Sequence, residues 1–133
     1  LRALTYIARN APSDKEALVR IKEISESQKI SVQYLEQILY KLKEAEIITG
    51  KRGPNGGYKM MKEPAEITVY EVFKVLESDE NLAVCSPEKE MCVGKDCTTS
   101  YLWKKLNDSV ERVLKETTLE EMLLEFSKRT GGK

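Results

Sequence analysis

The feature that most constrains this 133-residue chain is a run of four predicted elements: a short helix, a turn, a longer helix and a glycine-rich hairpin. Ser31 is a typical N-cap residue, and the apolar residues that follow it at helical spacing predict a helix over residues 32–46. Residues 47–49 and 58–60 predict two short strands on either side of the turn-rich segment 50–57.

Elements in this order are typical of a winged helix-turn-helix, and we predict one over residues 1–66. The fold class that follows is mostly α with a small β wing. In this architecture the longer helix enters the major groove of double-stranded DNA, and the hairpin reaches a neighbouring groove.

The longer helix has one apolar side and one polar side. At about 100° per residue, Leu35, Ile38, Leu39 and Leu42 fall together, and the opposite side carries groups that can hydrogen-bond base edges and phosphates. In isolation this polar side could simply be solvated, but the basic hairpin that follows favours contact with DNA. The candidate DNA-contacting residues here are Ser31, Gln33, Tyr34, Glu36, Gln37 and Tyr40.

The hairpin is the second candidate contact with DNA. Lys51 and Arg52 lie where the tip of a wing would meet DNA, and an Arg is favoured in a narrow minor groove by its negative potential. Glycine lets the backbone adopt positive φ and approach phosphates closely. The remaining candidate residues of the hairpin are Gly53, Pro54, Gly56, Gly57 and Tyr58.

The charge distribution supports a basic DNA-binding half. The whole chain is neutral, with 22 basic and 22 acidic residues. Residues 1–62 nevertheless hold 12 basic and 7 acidic residues, whereas residues 63–133 hold 10 and 15. A basic first half and an acidic second half are typical of a DNA-contacting surface joined to a partner or sensor region.

The second half is predicted to contain a linking helix with a cysteine-rich loop (residues 67–99) and two further helices (residues 100–133). Capping-box patterns begin at Thr68 and at Thr118. A long helix from Ser100 has an apolar stripe that could pack on the same chain or on a second copy. We favour a dimerisation helix, because a two-fold homodimer can place two recognition helices on a palindromic site. The stripe consists of Leu102, Trp103, Leu106, Val110, Val113 and Leu114.

Cys85, Cys92 and Cys97 are the only cysteines, and they lie within thirteen residues of one another. Three thiols this close are more often metal-binding or redox-active than disulfide-bonded in a protein of the cytoplasm. The chain holds no histidine, so a Cys₃His zinc site within one subunit is excluded. Inert thiols remain the alternative to an iron–sulfur cluster with one non-cysteine ligand.

Several functional classes are disfavoured. The absence of histidine, of a phosphate-binding glycine loop and of a recognisable carboxylate pair argues against an enzyme. No apolar run approaches the roughly 20 residues of a membrane span, and no signal-peptide pattern opens the chain, so we expect a cytoplasmic protein without membrane contact.

Nearly the whole sequence resembles the family of iron–sulfur cluster regulators (IscR) and nitric-oxide-sensing repressors (NsrR). The resemblance is carried by residues 30–38, by residues 52–58, and by the three-cysteine loop followed by Leu102 and Trp103. It implies a dimeric winged-helix repressor or activator whose cluster state controls promoter binding. It further implies that Gln33, Tyr34, Glu36 and Gln37 face the major groove and that Arg52 enters the minor groove.

The same resemblance implies that Cys85, Cys92 and Cys97 hold a 2Fe-2S or a 4Fe-4S cluster, of which we favour 2Fe-2S. This chain departs from the family at the fourth ligand. Ser100 stands where the iron–sulfur regulators have a histidine, and the nitric-oxide sensors use an acidic residue in an N-terminal stretch that precedes Leu1. Lys29 also replaces the usual glycine in the turn between the two helices.

The sequence leaves three functional hypotheses. The first is a transcription regulator, and specifically a repressor, that senses redox, iron or nitric oxide through its cluster. The second is a cluster-free winged-helix repressor controlled by a partner protein or by thiol oxidation. The third is an electron carrier or metal-handling protein that does not bind DNA, which leaves Arg52 and the glycine-rich wing unexplained.

Overall fold

A computed structural model describes residues 1–76 and 98–131, which form six α-helices and one two-stranded antiparallel sheet. A single 3₁₀ turn, Pro64–Glu66, connects the sheet to the fourth helix. The predicted fold class, mostly α with a small β wing, is thereby confirmed. The elements are α1 (Arg2–Asn10), α2 (Ile21–Gln28), α3 (Val32–Glu44), β1 (Ile48–Lys51), β2 (Gly57–Met60), α4 (Val69–Leu76), α5 (Ser100–Glu116) and α6 (Leu119–Arg129).

Helix α3 forms for the reasons that the sequence indicates. The Ser31 hydroxyl accepts a hydrogen bond from the Tyr34 amide at 3.2 Å, which satisfies a free N–H of the first turn. Leu35, Leu39 and Leu42 are completely buried along its apolar side.

Helix α3 ends at Glu44, two residues earlier than predicted. Glu46 takes a left-handed conformation with φ 60°, and the Ile47 amide donates back to the Leu42 carbonyl at 3.1 Å. Such a closing bond after a left-handed residue ends a helix. Here it directs the chain into β1, where Ile47 and Ile48 are buried.

The turn between α2 and α3 contains Lys29, which stands where the family usually has glycine. Lys29 adopts φ 56° and ψ 47°, the left-handed region that favours glycine. The turn is held by the Ser25 hydroxyl, which donates to the Ile30 carbonyl at 2.6 Å, and by the Ile30 amide, which donates to the Ser25 carbonyl at 3.3 Å.

Lys29→Gly is therefore expected to stabilise the protein. The left-handed conformation costs a side-chain-bearing residue about 1–2 kcal/mol, and the larger unfolded-state entropy of glycine offsets part of the gain. We expect the free energy of unfolding, measured by urea denaturation, to rise by up to about 1 kcal/mol. Glu26→Gly, inside the exposed part of α2, should instead lower it by about 1 kcal/mol. Equal losses in both variants would contradict the strain at Lys29.

The wing is a short hairpin supported by the segment before α2. Ile48 pairs with Met60 at its base, and Lys51 pairs with Gly57 near its tip. Val19 exchanges two backbone hydrogen bonds with Tyr58, at 2.8 and 2.7 Å, so it lies beside β2 as an additional edge.

One hydrophobic core joins the first helices to the last one. Leu119 is completely buried in the same cluster as Leu4, Ile7 and Ile67. Its amide donates to the Ile67 carbonyl at 2.9 Å. The Arg9 guanidinium lies 4.5 Å from the centre of the Phe126 ring, which fastens α6 to α1.

Helix α5 contacts α4 through one side. The Lys115 ammonium lies 4.7 Å from the centre of the Tyr70 ring and forms a 3.0 Å ion pair with Glu111. The hydrogen bond to Lys115 and the positive charge of Lys115 lower the pKa of Glu111, and the same hydrogen bond and the negative charge of Glu111 raise the pKa of Lys115. These contacts of Lys115 with Tyr70 and Glu111 lie where α5 packs on α4, and α4 in turn packs against α3.

Candidate nucleic-acid interface

The predicted contact residues of α3 all lie on its accessible side. Gln33, Glu36 and Gln37 are exposed, and so are Tyr34 and Tyr40, with 57% and 66% of their surface accessible. Ser31 is also exposed, although its hydroxyl is used to cap the helix. The polar side of α3 is thus accessible enough to contact the groove of a DNA duplex.

The structure divides these side chains between two sides of α3. Glu36 and Tyr40 line a cleft that opens toward the wing. Tyr34 and Gln37 line a second groove, of about 410 Å³, between α3, α4 and the start of α1. Phe73 and Leu76 of α4 form part of its apolar wall.

The wing presents its basic residues at an exposed tip. Lys51 ends β1, and Arg52, Gly53 and Pro54 follow it, all four exposed. The Gly56 amide donates to the Gly53 carbonyl at 2.9 Å and closes the turn.

At two positions of the wing, the surrounding backbone leaves no room for any residue larger than glycine. A Cβ atom on Gly56 would lie 2.1 Å from the Lys51 carbonyl oxygen. Gly57 has φ 153°, and a Cβ atom there would lie 2.7 Å from the Val19 carbonyl oxygen. Tyr58 follows in β2, where its half-buried ring lies against Gly50 of β1.

The space between α3 and the wing is a strongly cationic cleft of about 550 Å³. Among the described residues that line it, five have basic side chains and only Glu36 has an acidic one. We call it the wing cleft. Its basic residues are Arg20, Lys22, Lys43, Lys51 and Arg52.

Three of these basic residues were not predicted as contacts. Arg20 and Lys22 stand at the start of α2, and Lys43 stands in the last turn of α3. Helical spacing places Lys43 near Glu36 and Tyr40, which could have indicated its side of the helix. For Arg20 and Lys22 the sequence offered only two basic residues separated by one position.

The electrostatics of the wing cleft suit a polyanion. Within residues 1–76 and 98–131, none of its five basic side chains forms an ion pair with a carboxylate. Unpaired cations grouped around a concave surface focus positive potential and attract phosphates.

The predicted metal ligands Cys85, Cys92 and Cys97 lie outside the residues that the structure describes. Among those that it does describe, no group of three or more His, Cys, Asp or Glu residues could hold a metal ion. The described residues closest to the cysteines in sequence are Leu76, at the end of α4, and Thr98 and Thr99, before α5. The Lys41 ammonium of α3 donates a hydrogen bond to the Leu76 carbonyl at 3.3 Å. Helix α3 is thus hydrogen-bonded to the last described residue before the cysteine segment.

Four of the six residues of the apolar stripe of α5 are exposed, whereas Trp103 and Leu114 are half-buried. Leu102, Leu106, Val110 and Val113 keep 41–55% of their surface accessible, and no residue of α5 is buried. The contact with α4 uses Glu111 and Lys115 on the other side of the helix. Of the helices in the described part of the chain, none is long and apolar enough to cross a membrane.

A helix-turn-helix, a wing and a cationic cleft between them define a winged-helix DNA-binding protein. The comparison with known families then specifies the kind. The profile of the Rrf2 family, described as iron-dependent transcriptional regulators, matches residues 1–125, and the chain belongs to this family. The protein is accordingly a transcriptional regulator and not an enzyme, as the sequence predicted.

Individual relatives agree with this assignment. The transcriptional regulator IscR of Photorhabdus laumondii is 35% identical over 122 residues, which are 91% of this chain and 74% of that protein. The structure of T. potens IscR matches with a TM-score of 0.72 and 31% identity over 96% of this chain and 82% of the other. CymR, the global cysteine regulator of B. subtilis, matches with a TM-score of 0.70 and 27% identity over 92% and 88%.

Proposed function

We propose that this protein is a repressor that binds a palindromic DNA site as a homodimer and responds to redox, iron or nitric oxide through an iron–sulfur cluster. It would act in the cytoplasm, where its DNA target lies. The observation that carries the DNA-binding part is the wing cleft, which joins the polar side of α3 to the tip of the wing through five basic side chains. A groove-reading helix beside a basic hairpin is the arrangement by which winged helices bind DNA.

The roles within this interface follow from position. The exposed amides, hydroxyls and carboxylate of α3 would read base edges in the major groove, and Arg52 would enter the adjacent minor groove. The basic residues of the wing cleft would contact the phosphates between the two grooves.

Arg52→Ala tests this assignment. We expect the binding free energy to become less favourable by about 1–3 kcal/mol, because a phosphate or groove contact is lost. The slope of log K against log salt concentration should also become shallower by about one, since one fewer counterion is released. Fluorescence anisotropy at several salt concentrations measures both quantities. Arg129→Ala removes the same charge from the last turn of α6 and should leave affinity unchanged. If both variants bind like the wild type, the wing does not contact DNA.

The cluster is supported by the chemistry of the donor set. Cys85, Cys92 and Cys97 supply three thiolates within thirteen residues, which fits the sulfur ligation of a 2Fe-2S or 4Fe-4S cluster with one position left for another ligand. When bound, the cluster would supply an electron-accepting centre that is sensitive to oxidants and nitric oxide. Because the 133 residues include no histidine, the fourth ligand within this chain is not an imidazole.

Sensing further requires a link between the cysteine segment and α3. The hydrogen bond from Lys41 to the Leu76 carbonyl is such a link, since Leu76 is the last described residue before that segment. A change in the path of the chain after α4 would therefore act on α3 through Lys41 and through the packing of α4 against α3.

Anaerobic purification tests the cluster. We expect a reddish-brown protein that contains iron and acid-labile sulfide, and we expect the visible absorbance to be lost in each of Cys85→Ala, Cys92→Ala and Cys97→Ala. Ser27→Ala, in α2, should keep the wild-type spectrum. Colourless, iron-free protein under strict anaerobiosis would contradict the proposal.

The match to CymR favours a second candidate function. CymR is a global cysteine regulator and matches this fold with a TM-score of 0.70. The same winged helix could therefore act without a cluster, controlled by a partner protein or by oxidation of its thiols. In that case DNA binding would persist unchanged in iron-free protein and would respond to a thiol oxidant.

A further inference from the structure

The segment before α2 is joined to the wing at two levels. At the start of β2, the backbone of Val19 is bonded in both directions to Tyr58, and Gly57 approaches the Val19 carbonyl too closely to accommodate a side chain. At the tip, the Arg20 guanidinium donates through Nη2 to the Pro54 carbonyl. The consecutive residues Val19 and Arg20 thus contact β2 and the turn of the same hairpin.

The contact at the tip matters because the hairpin is small. Strands β1 and β2 are four residues each, and a hairpin of this size is marginally stable without support. Among the hydrogen bonds of the described residues, the one from Arg20 alone connects residues 52–56 to the rest of the domain. The Gly53–Gly56 bond closes the turn but does not fix its position.

Arg20 is also placed to act on the DNA contact. Its side chain is exposed and lines the wing cleft together with Lys51 and Arg52. A guanidinium has five N–H donors in a planar array, so the bond to Pro54 leaves others directed elsewhere. Its position at the start of α2, whose helix packs against α3, ties the wing tip to the recognition helix.

We propose that Arg20 is a positioning residue that braces the wing through the Pro54 carbonyl and so sets where Arg52 stands relative to α3. The inference rests on the proposed DNA-binding function and adds a determinant of its geometry. Arg20 acts mainly through Arg52, so removing Arg20 should matter most when Arg52 is present.

A double-mutant cycle separates this role from that of a simple cation. The probe is a duplex selected by the wild-type protein from a random-sequence pool. The variants are Arg20→Met, Arg52→Met and their combination, with Lys22→Met as the matched control that removes a neighbouring cation of the wing cleft without touching the wing tip. Affinity is read by fluorescence anisotropy and minor-groove contact by hydroxyl-radical footprinting.

Arg20→Met should weaken binding about tenfold and reduce minor-groove protection. In the Arg52→Met background the same change should weaken binding less than about threefold, since coupled residues are not additive. Lys22→Met should weaken binding by the same factor in both backgrounds and leave minor-groove protection intact.

Equal effects of Arg20→Met in both backgrounds, or unchanged minor-groove protection, would overturn the proposal. Circular dichroism and urea denaturation verify that each variant is folded. If Arg20→Met is not folded, Arg20→Gln, whose side chain is shorter and neutral, serves in the same cycle. If the wild-type protein selects no duplex, the proposed function itself fails and the brace has no DNA contact to position.

Discussion

Val110→Asp is expected to convert the protein to a monomer and to weaken its binding to a palindromic duplex by more than about 100-fold. Val110 is an exposed residue of the apolar stripe of α5, where 41% of its surface is accessible. A carboxylate at the centre of an apolar interface would be desolvated without a partner. A monomer binds one half-site and loses the gain in affinity that two linked DNA-binding domains provide, which reaches about 10²–10⁴-fold.

Analytical ultracentrifugation measures the mass, and anisotropy with the duplex measures the affinity. Lys104→Asp introduces the same carboxylate at an exposed position outside the stripe and should leave both unchanged. A Val110→Asp protein that remains a dimer and binds DNA as tightly as the wild type would exclude α5 as the dimerisation helix.

Leu42→Ala is expected to lower the free energy of unfolding by about 2–5 kcal/mol. Leu42 is completely buried under α3, and its carbonyl accepts the hydrogen bond from Ile47 that ends the helix. A cavity here removes packing from α3 and β1 together. Since the free energy of unfolding of native domains is about 5–15 kcal/mol, this loss is a large share of the total stability.

Urea denaturation followed by circular dichroism gives the value. Leu124→Ala deletes the same atoms from α6 at a position with 55% of its surface accessible, and it should change stability by less than about 0.5 kcal/mol. Similar losses in the two variants would mean that Leu42 is not a core residue.

Local signals in the sequence predicted much of the fold because their causes are local. Ser31 and Thr118 cap α3 and α6 as predicted, each accepting a hydrogen bond at 3.2 Å from the amide three residues later. The apolar side of α3 is buried as its periodicity indicated. The end of α3 was predicted two residues late, because the bond from Ile47 to Leu42 depends on the burial of β1 rather than on residues 45 and 46.

Contacts between distant segments were beyond the sequence patterns. The apolar periodicity of α6 shows that it has a buried side, but the pattern does not identify α1 as its neighbour. Arg20 belongs to the wing cleft only because Val19 pairs with Tyr58, 39 positions away. The assignments of Gln33, Tyr34, Glu36, Gln37 and Arg52 to DNA, and of the three cysteines to a cluster, stay predictions.

One affinity measurement decides whether an iron–sulfur cluster controls this DNA-binding protein. Anaerobically purified protein is compared with the same preparation after removal of its iron, and with the variant that carries alanine at Cys85, Cys92 and Cys97, on one selected duplex at one salt concentration. Cluster control requires the dissociation constant of the wild type to change by at least about fivefold on iron removal, and that of the cysteine-free variant to stay constant. Identical dissociation constants with and without iron in the wild type would contradict it.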